Sequence, residues 1–471
     1  MTPPSTTDHP LTARPPADDG VMAALESWLP GRRWFPAKGT AGSFQRVAVL
    51  DLEDPEGQGR VGLHLLRLPS GALLQVPLVL RADDGGLPEA AVVGRTPDGT
   101  VVVDGCHDPA FVRAWLAAAE RPEPGDAVGT PDLTGMRVLS GEQSNTSVIL
   151  PTLDPPAILK VFRGVSTGAN PDVEVPLALS EAGWRGVPRP LAWLTGAWPA
   201  DPSRSEPVPG DAEATRAAET GHLGVLSELV LGAEDGFELA CRYAAEGASF
   251  GALAEDLGRT TAQMHAALRS ALPTASAGNA PAHGVVAVLR SRAAAAVAAA
   301  PVLADRAPAV EGLFGEVERL TDLPPLQRVH GDYHLGQVLH SADRGWSVLD
   351  FEGEPSASEA ERNRPDLALR DLAGMLRSLD YAAAVGGAAS AWWAEESRAR
   401  LVDGYLTEAG VAEGAAASTG TAGAAAGTTT GLLRALELDK ALYEVVYESR
   451  NRPSWVHIPL DGVDRLLART R

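Results

Sequence analysis

Two acidic motifs carry the chemistry legible in this chain, His330-Gly331-Asp332-Tyr333-His334-Leu335-Gly336-Gln337 and Asp350-Phe351-Glu352-Gly353-Glu354-Pro355, with Asp332 and Asp350 eighteen residues apart. Phosphoryl transfer to a hydroxyl needs a carboxylate to orient the attacking group and accept its proton. It also needs an amide or carboxyl ligand for Mg²⁺ a few residues later, and an aspartate after a short strand to hold the metal on the β- and γ-phosphates. Asp332, Gln337 and Asp350 fit these three roles in type and order.

The placement of Gln337 five residues after Asp332 repeats a kinase catalytic loop, with glutamine where protein kinases carry asparagine, and Asp350-Phe351-Glu352 stands for Asp-Phe-Gly. A single aspartate of this kind reads as a turn, and His330 reads as a core histidine bonded to backbone. Both motifs, in order and each beside a short apolar strand, are not explained that way.

Of forty basic residues only Lys38, Lys160 and Lys440 are lysine. Where lysine persists against so strong an arginine bias, a compact ammonium is the expected requirement. Lys160 sits inside the apolar run Ile158-Leu159-Lys160-Val161-Phe162, and a buried lysine needs a partner or a phosphate. Glu174, fourteen residues on in a helical segment, is its expected partner, as in the kinase strand-lysine and helix-glutamate pair. Ahead of it, Ser144, Asn145 and Thr146 in a turn between two strands offer donors to phosphates; an ordinary polar hairpin is the plainer reading of that turn. Glu228 and Val230, closing the strand candidate His222–Val230, complete the expected nucleotide-binding set.

The segment 437–453 predicts a helix stopped by Pro453, with an apolar stripe of Leu438, Leu442, Val445 and Val446. Glu437, Lys440, Glu444, Tyr447 and Asn451 recur at three- and four-residue steps on another face. A solvated face laced by ion pairs explains that spacing equally well; the phosphotransfer motifs favour a surface for sugar hydroxyls, with His334 beside it.

These residues need elements to hold them. Residues 1–20 read as a disordered tail and 21–120 as a β-rich cap: a short helix at Met22–Leu29, then apolar runs from Phe44 to Val103 broken by Pro-Glu-Gly, Ser-Gly and Asp-Gly. Trp34 and Phe35 are expected to anchor the segment before that sheet. Residues 121–232 read as a nucleotide-binding lobe, with strands near Arg137–Leu150, Ala157–Phe162, Leu191–Leu194 and His222–Val230, one helix near Pro171–Ala182, and a surface excursion at Pro199–Gly221. Residues 233–471 read as mainly helical, with 413–431 a loop or frayed connection.

The net charge of −21 argues against nucleic acid and anionic membranes as partners. Two distant cysteines, Cys106 and Cys241, lack metal-ligand spacing and fit a reducing compartment, hence a cytoplasmic expectation. Neither a leader peptide nor a membrane span is read. Without Gly-x-Gly-x-x-Gly or Gly-x-x-x-x-Gly-Lys-Ser/Thr, Rossmann and P-loop classes are not supported.

Gly31-Arg32-Arg33-Trp34-Phe35, Gly141-Glu142-Gln143-Ser144-Asn145-Thr146-Ser147, the two acidic motifs, Leu369–Ser378 and the 437–453 helix together resemble the actinobacterial maltokinases, relatives of the aminoglycoside phosphotransferases. The resemblance implies an α+β, protein-kinase-like bilobal fold with an N-terminal β-rich cap. It implies ATP and Mg²⁺ as cofactors and maltose 1-phosphate as product for α-glucan synthesis, often alongside trehalose synthase. A sister group with the same motifs phosphorylates glucosamine, so the sugar stays open, as do an aminoglycoside acceptor and a non-catalytic regulatory subunit. In this scheme Asp332 is the base, Gln337 and Asp350 bind Mg²⁺, Glu352 supplies a carboxylate behind those ligands or to a second metal, and Arg370 and Asp371 brace the catalytic loop.

Overall fold

A computed structural model describes residues 11–15, 20–36, 44–122, 131–139, 144–200, 218–275, 281–320, 323–353, 362, 364–410 and 421–468, the side chains of 281–282 and 421–427 excepted. Lys38, Gly141-Glu142-Gln143, Glu354-Pro355, most of the 121–131 linker and most of the 199–221 excursion lie outside these residues, as do 1–10 and 16–19 of the predicted tail. The chain divides into two compact units, Met1–Glu174 with Arg189–Leu229, and Val175–Pro188 with Val230–Arg471.

The first unit is built on two sheets. In the cap, strands Gln45–Leu52, Arg60–Arg67, Leu73–Arg81, Val101–Asp104 and Val92–Arg95 pair antiparallel in that spatial order. Strand side chains alternate between faces. Val61, Leu63 and Leu65 accordingly join one core, while Leu66, Leu74, Val76 and Leu78 join another. This two-sided burial explains why the sequence shows near-continuous apolar runs there. The second of these cores is closed by the helix Val21–Trp28 and by Phe35. Trp34 packs edge-on against Trp28 at 5.9 Å, with the Arg163 guanidinium 4.2 Å from its ring centroid. The expected anchoring role of the two aromatics holds.

The other sheet runs, in space, Leu11–Thr12, Pro190–Pro199, Ala218–Glu228, Ala157–Val161, Thr146–Leu150 and Arg137–Val138. Leu11–Thr12, expected in the disordered tail, instead pairs parallel with Gly196 and Ala197. The helix Pro109–Ala118, with Phe111 and Trp115 fully buried, shares one apolar core with both sheets.

The second unit is mainly helical. Long helices Gly251–Ala271, Leu369–Val385, Ala391–Glu408 and Thr421–Asn451 surround a continuous core that includes Leu257, Leu372, Met375, Leu401 and Leu438. The predicted 413–431 loop is corrected in its second half, since the last of these helices already begins at Thr421; 411–420 lie outside the described residues. A small sheet of Glu234–Asp235, Val338–Ser341 and Gly345–Val348 completes the unit.

Candidate functional site

That small sheet accounts for the spacing of the acidic motifs. Val338 pairs with Val348 across a hairpin closed at Gly345, so the chain returns upon itself and the Leu349 N–H donates to the Gln337 carbonyl at 2.9 Å. Gln337 and Asp350 are thereby neighbours: Gln337 Nε2 donates to Asp350 Oδ2 at 3.0 Å. Among the described residues Asp350 is the one non-glycine with positive φ, at 61°. A left-handed aspartate is costly and persists where its surroundings over-determine it, as at ligand clamps. Asp350 and Glu352 bring carboxylate oxygens within 4.8 Å of each other. With the Gln337 amide oxygen, reached by turning the amide over, they form a hard oxygen donor set that fits Mg²⁺.

The loop that begins at His330 is held by Asp371 on the helix Leu369–Val385. Its Oδ2 accepts from the His330 backbone N–H at 2.8 Å and its Oδ1 from the Gly331 N–H at 2.9 Å, and His265 Nε2 lies 3.1 Å from Oδ2. Burial by itself would raise the Asp371 pKa; the bonds from His265 and Gly331 and the nearby imidazoles outweigh it and hold the carboxyl below its usual range. His330 is the core histidine expected, its Nε2 2.8 Å from the Leu349 carbonyl. Arg370 braces differently, pairing with Asp366 and with Asp439 on the helix Thr421–Asn451.

Asp332 projects from this loop with Lys440 Nζ 3.9 Å from its Oδ1 and His334 Nε2 3.9 Å from its Oδ2. His334 Nδ1 accepts from the Gly336 N–H at 3.1 Å, which leaves the ring proton on Nε2. Burial lowers the His334 pKa, so the ring is neutral at neutral pH. Asp332, His334, Lys440, Glu444 and Tyr447 line one cavity of about 800 Å³ in the second unit.

Glu437 and Asn451, predicted on the same face, do not line it. Glu437 is buried and bonds Arg398 at 2.8 Å and Arg465 at 3.3 Å, because at that turn the helix is packed between its neighbours. Asn451 is exposed, and its amide donates to the Tyr447 carbonyl at 2.9 Å. Regular spacing continued the face beyond the stretch that opens on the cavity. Tyr443, Glu448, Arg452 and Trp455 line it unanticipated, as do Tyr381, Asp235 and Glu238 from other elements. The first three of these sit at three- and four-residue steps from Lys440, Glu444 and each other, a signal present in the sequence.

In the first unit, Ala157, Leu159 and Val161 bury one face of their strand and Lys160 extends from the other. Its Nζ meets Asp172 Oδ2 at 2.5 Å, which corrects the expected Glu174 partner. The helix Pro171–Glu181 starts under Asn170, whose Oδ1 accepts from the Asp172 N–H at 2.8 Å. Two residues advance a helix by roughly 200°, so with Asp172 turned to the strand, Glu174 is exposed. An acid in the first turn, two residues after an asparagine, was the signal.

Ser144 is exposed, but the side chains of Asn145 and Thr146 are turned inward rather than towards a ligand. Asn145 Oδ1 accepts from the Arg163 N–H at 3.3 Å and Thr146 Oγ1 from Arg163 Nε at 2.8 Å. Arg163 is fully buried beside Asp104, and a buried guanidinium must be supplied with acceptors. Glu228 ends its strand with Arg189 Nε 3.0 Å from its carboxylate, and half-buried Val230 follows.

Comparison with known proteins matches residues 28–108 to a maltokinase N-terminal cap domain and 242–418 to the phosphotransferase enzyme family. A glucosamine kinase of Streptacidiphilus jiangxiensis is 29% identical over 89% of this chain and 90% of its own length. A glucosamine kinase of Mycolicibacterium smegmatis is 29% identical over 71% of this chain and 80% of its own. Among solved structures, a glucosamine kinase in complex with glucosamine, ADP and inorganic phosphate superposes with a TM-score of 0.63 at 25% identity, covering 96% of this chain and 100% of that one. A second crystal form gives 0.65 at 24% identity, with the same coverage. The fold is the kinase-like bilobal phosphotransferase fold with a maltokinase-type cap, and the chain is an ATP-dependent phosphotransferase acting on a hydroxyl group.

Proposed function

We propose that this phosphotransferase is a glucosamine kinase, transferring the γ-phosphate of ATP to a hydroxyl of the amino sugar. The charge of the cavity beside Asp332 carries the reading. Five carboxylates line it, Asp235, Glu238, Asp332, Glu444 and Glu448, against two cations, Lys440 and Arg452. Part of that acid is spoken for, since Glu444 bonds Arg377 at 2.8 Å and Glu448 bonds Arg452 and Tyr381. The remaining surplus favours an ammonium-bearing acceptor over a neutral one. The two glucosamine kinase relatives support the same choice.

In this mechanism Asp332 accepts the proton of the attacking hydroxyl, and Lys440 and His334 flank its two oxygens to fix the carboxylate. Asp350, Glu352 and Gln337 would hold Mg²⁺, which supplies charge neutralisation at the β- and γ-phosphates. Lys160, steadied by Asp172, is the proposed phosphate ligand of the first unit. A cytoplasmic location belongs to the same proposal, in line with two free cysteines; no helix among the described residues is long and apolar enough to cross a membrane.

Maltose is the second reading, favoured by the cap match and by aromatics in the cavity. Tyr443 and Tyr447 lie with ring planes 25° apart, exposed, near Trp455, and such faces suit sugar rings. ADP release with ATP and Mg²⁺ across glucosamine, maltose, glucose and kanamycin decides between them. Glucosamine is expected to turn over best, with Asp332→Asn slower by roughly 10²–10⁴-fold. Preference for maltose would transfer the chain to the maltokinases, and silence on all four would overturn both sugar readings.

A further inference from the structure

A second cavity in the same unit, about 540 Å³, adjoins the acceptor cavity and shares Tyr333, Gly374, Lys440 and Tyr443 with it. Its charge is of the opposite sign. Arg292, Arg362, Arg364, Arg370, Lys440 and Arg450 line it against three carboxylates, in a chain whose net charge is −21.

Those three carboxylates are already committed. Asp371 takes the His330 and Gly331 backbone and His265, Asp439 takes Arg292 and Arg370, and Asp366 takes Arg370. Among the described residues, no carboxylate pairs with Arg362, Arg364 or Arg450. Arg362 donates from one terminal nitrogen to the Glu352 carbonyl at 3.2 Å, while its buried Nε has no partner. Most other arginines of this unit lie in ion pairs, Arg377, Arg398 and Arg465 among them. Three guanidinium groups that no described carboxylate neutralises line one concave space, and their planar forks match a phosphate's oxygens. The volume suits a small molecule, not a polypeptide.

We propose that this cavity binds a phosphomonoester, a sugar phosphate or inorganic phosphate, separately from the nucleotide and the acceptor. The proposed sugar kinase reading enters only through the choice of one probe.

The test is calorimetric titration of the full chain, saturated with Mg²⁺ and a non-hydrolysable ATP analogue so that the nucleotide's phosphate contacts are filled. Inorganic phosphate and glucosamine 6-phosphate are titrated in turn. At least one is expected to bind saturably, and Arg364→Ala to weaken it roughly tenfold, the loss of one charge-assisted contact. Arg450→Ala is expected to act alike, with the acceptor KM unchanged within about twofold in both variants. Tighter binding of glucosamine 6-phosphate than of phosphate identifies a sugar ester as the ligand; equal binding identifies the free anion. No saturable binding of either anion overturns the proposal, as does binding that both folded variants leave intact. Failure of the glucosamine assay together with retained phosphate binding would overturn the sugar reading alone.

Discussion

Asp371 touches neither substrate nor metal in this scheme, yet three donors converge on its two oxygens and two of them are the backbone of the catalytic loop. Removing one partner of a buried polar network costs about 3–5 kcal/mol, because the other partners are left unpaired. Asp371→Asn is therefore expected to lower stability at pH 7 by an amount in that range, read from urea unfolding. The pH dependence follows from the sign of its shift. Its folded pKa is depressed, so its contribution is fully present above the unfolded value of about 3.9 and is lost as pH falls through the folded value. Wild-type stability should drop in acid below about pH 4, and the variant should follow a flatter course there. Equal acid slopes in the two proteins would remove Asp371 from this role. The pairing of Gln337 with Asp350 was legible because the two motifs fix residue type at a set chain separation, whereas the bracing Asp371 followed only from the family resemblance of Leu369–Ser378. The inward turn of Asn145 and Thr146 was not legible, since it depends on Arg163 eighteen and seventeen residues away, buried for reasons of cap packing.

At the scale of elements, the partner of Lys160 was decided by where a helix begins. Counting along the chain leaves Asp172 and Glu174 equivalent; the Asn170 cap fixes the rotation that turns Asp172 to the strand. Asp172→Asn is expected to lower kcat/KM for ATP by roughly tenfold or more, the loss of a charged partner. Glu174→Gln should stay within about twofold, and the reverse order would restore the sequence-based pairing. The cap sheet was legible because its short apolar runs are separated by clear turn residues. The helix 421–451 was legible only in part: its Ala/Gly/Thr start carries no period, and its face at Glu437 is covered by helices far along the chain.

Across the whole molecule the acidic surplus is uneven, since an acid-lined and a base-lined cavity lie side by side in the second unit. Attraction between exposed charges is screened within about 8–10 Å at physiological salt. At saturating ATP, the KM for glucosamine should rise as NaCl goes from low to high concentration, while that for neutral maltose stays level. A flat response for both would mean that the carboxylates of the acceptor cavity are satisfied internally. The two cavities were not readable from the chain, because their walls come from segments far apart in sequence, such as Glu238 and Arg452 in one and Arg292 and Arg450 in the other. Lys440 and Tyr443 belong to both walls. Any ligand that moves either side chain in one cavity must alter the other, and thermodynamic reciprocity then fixes the bookkeeping: the factor by which a bound phosphate changes glucosamine affinity equals the factor by which glucosamine changes phosphate affinity.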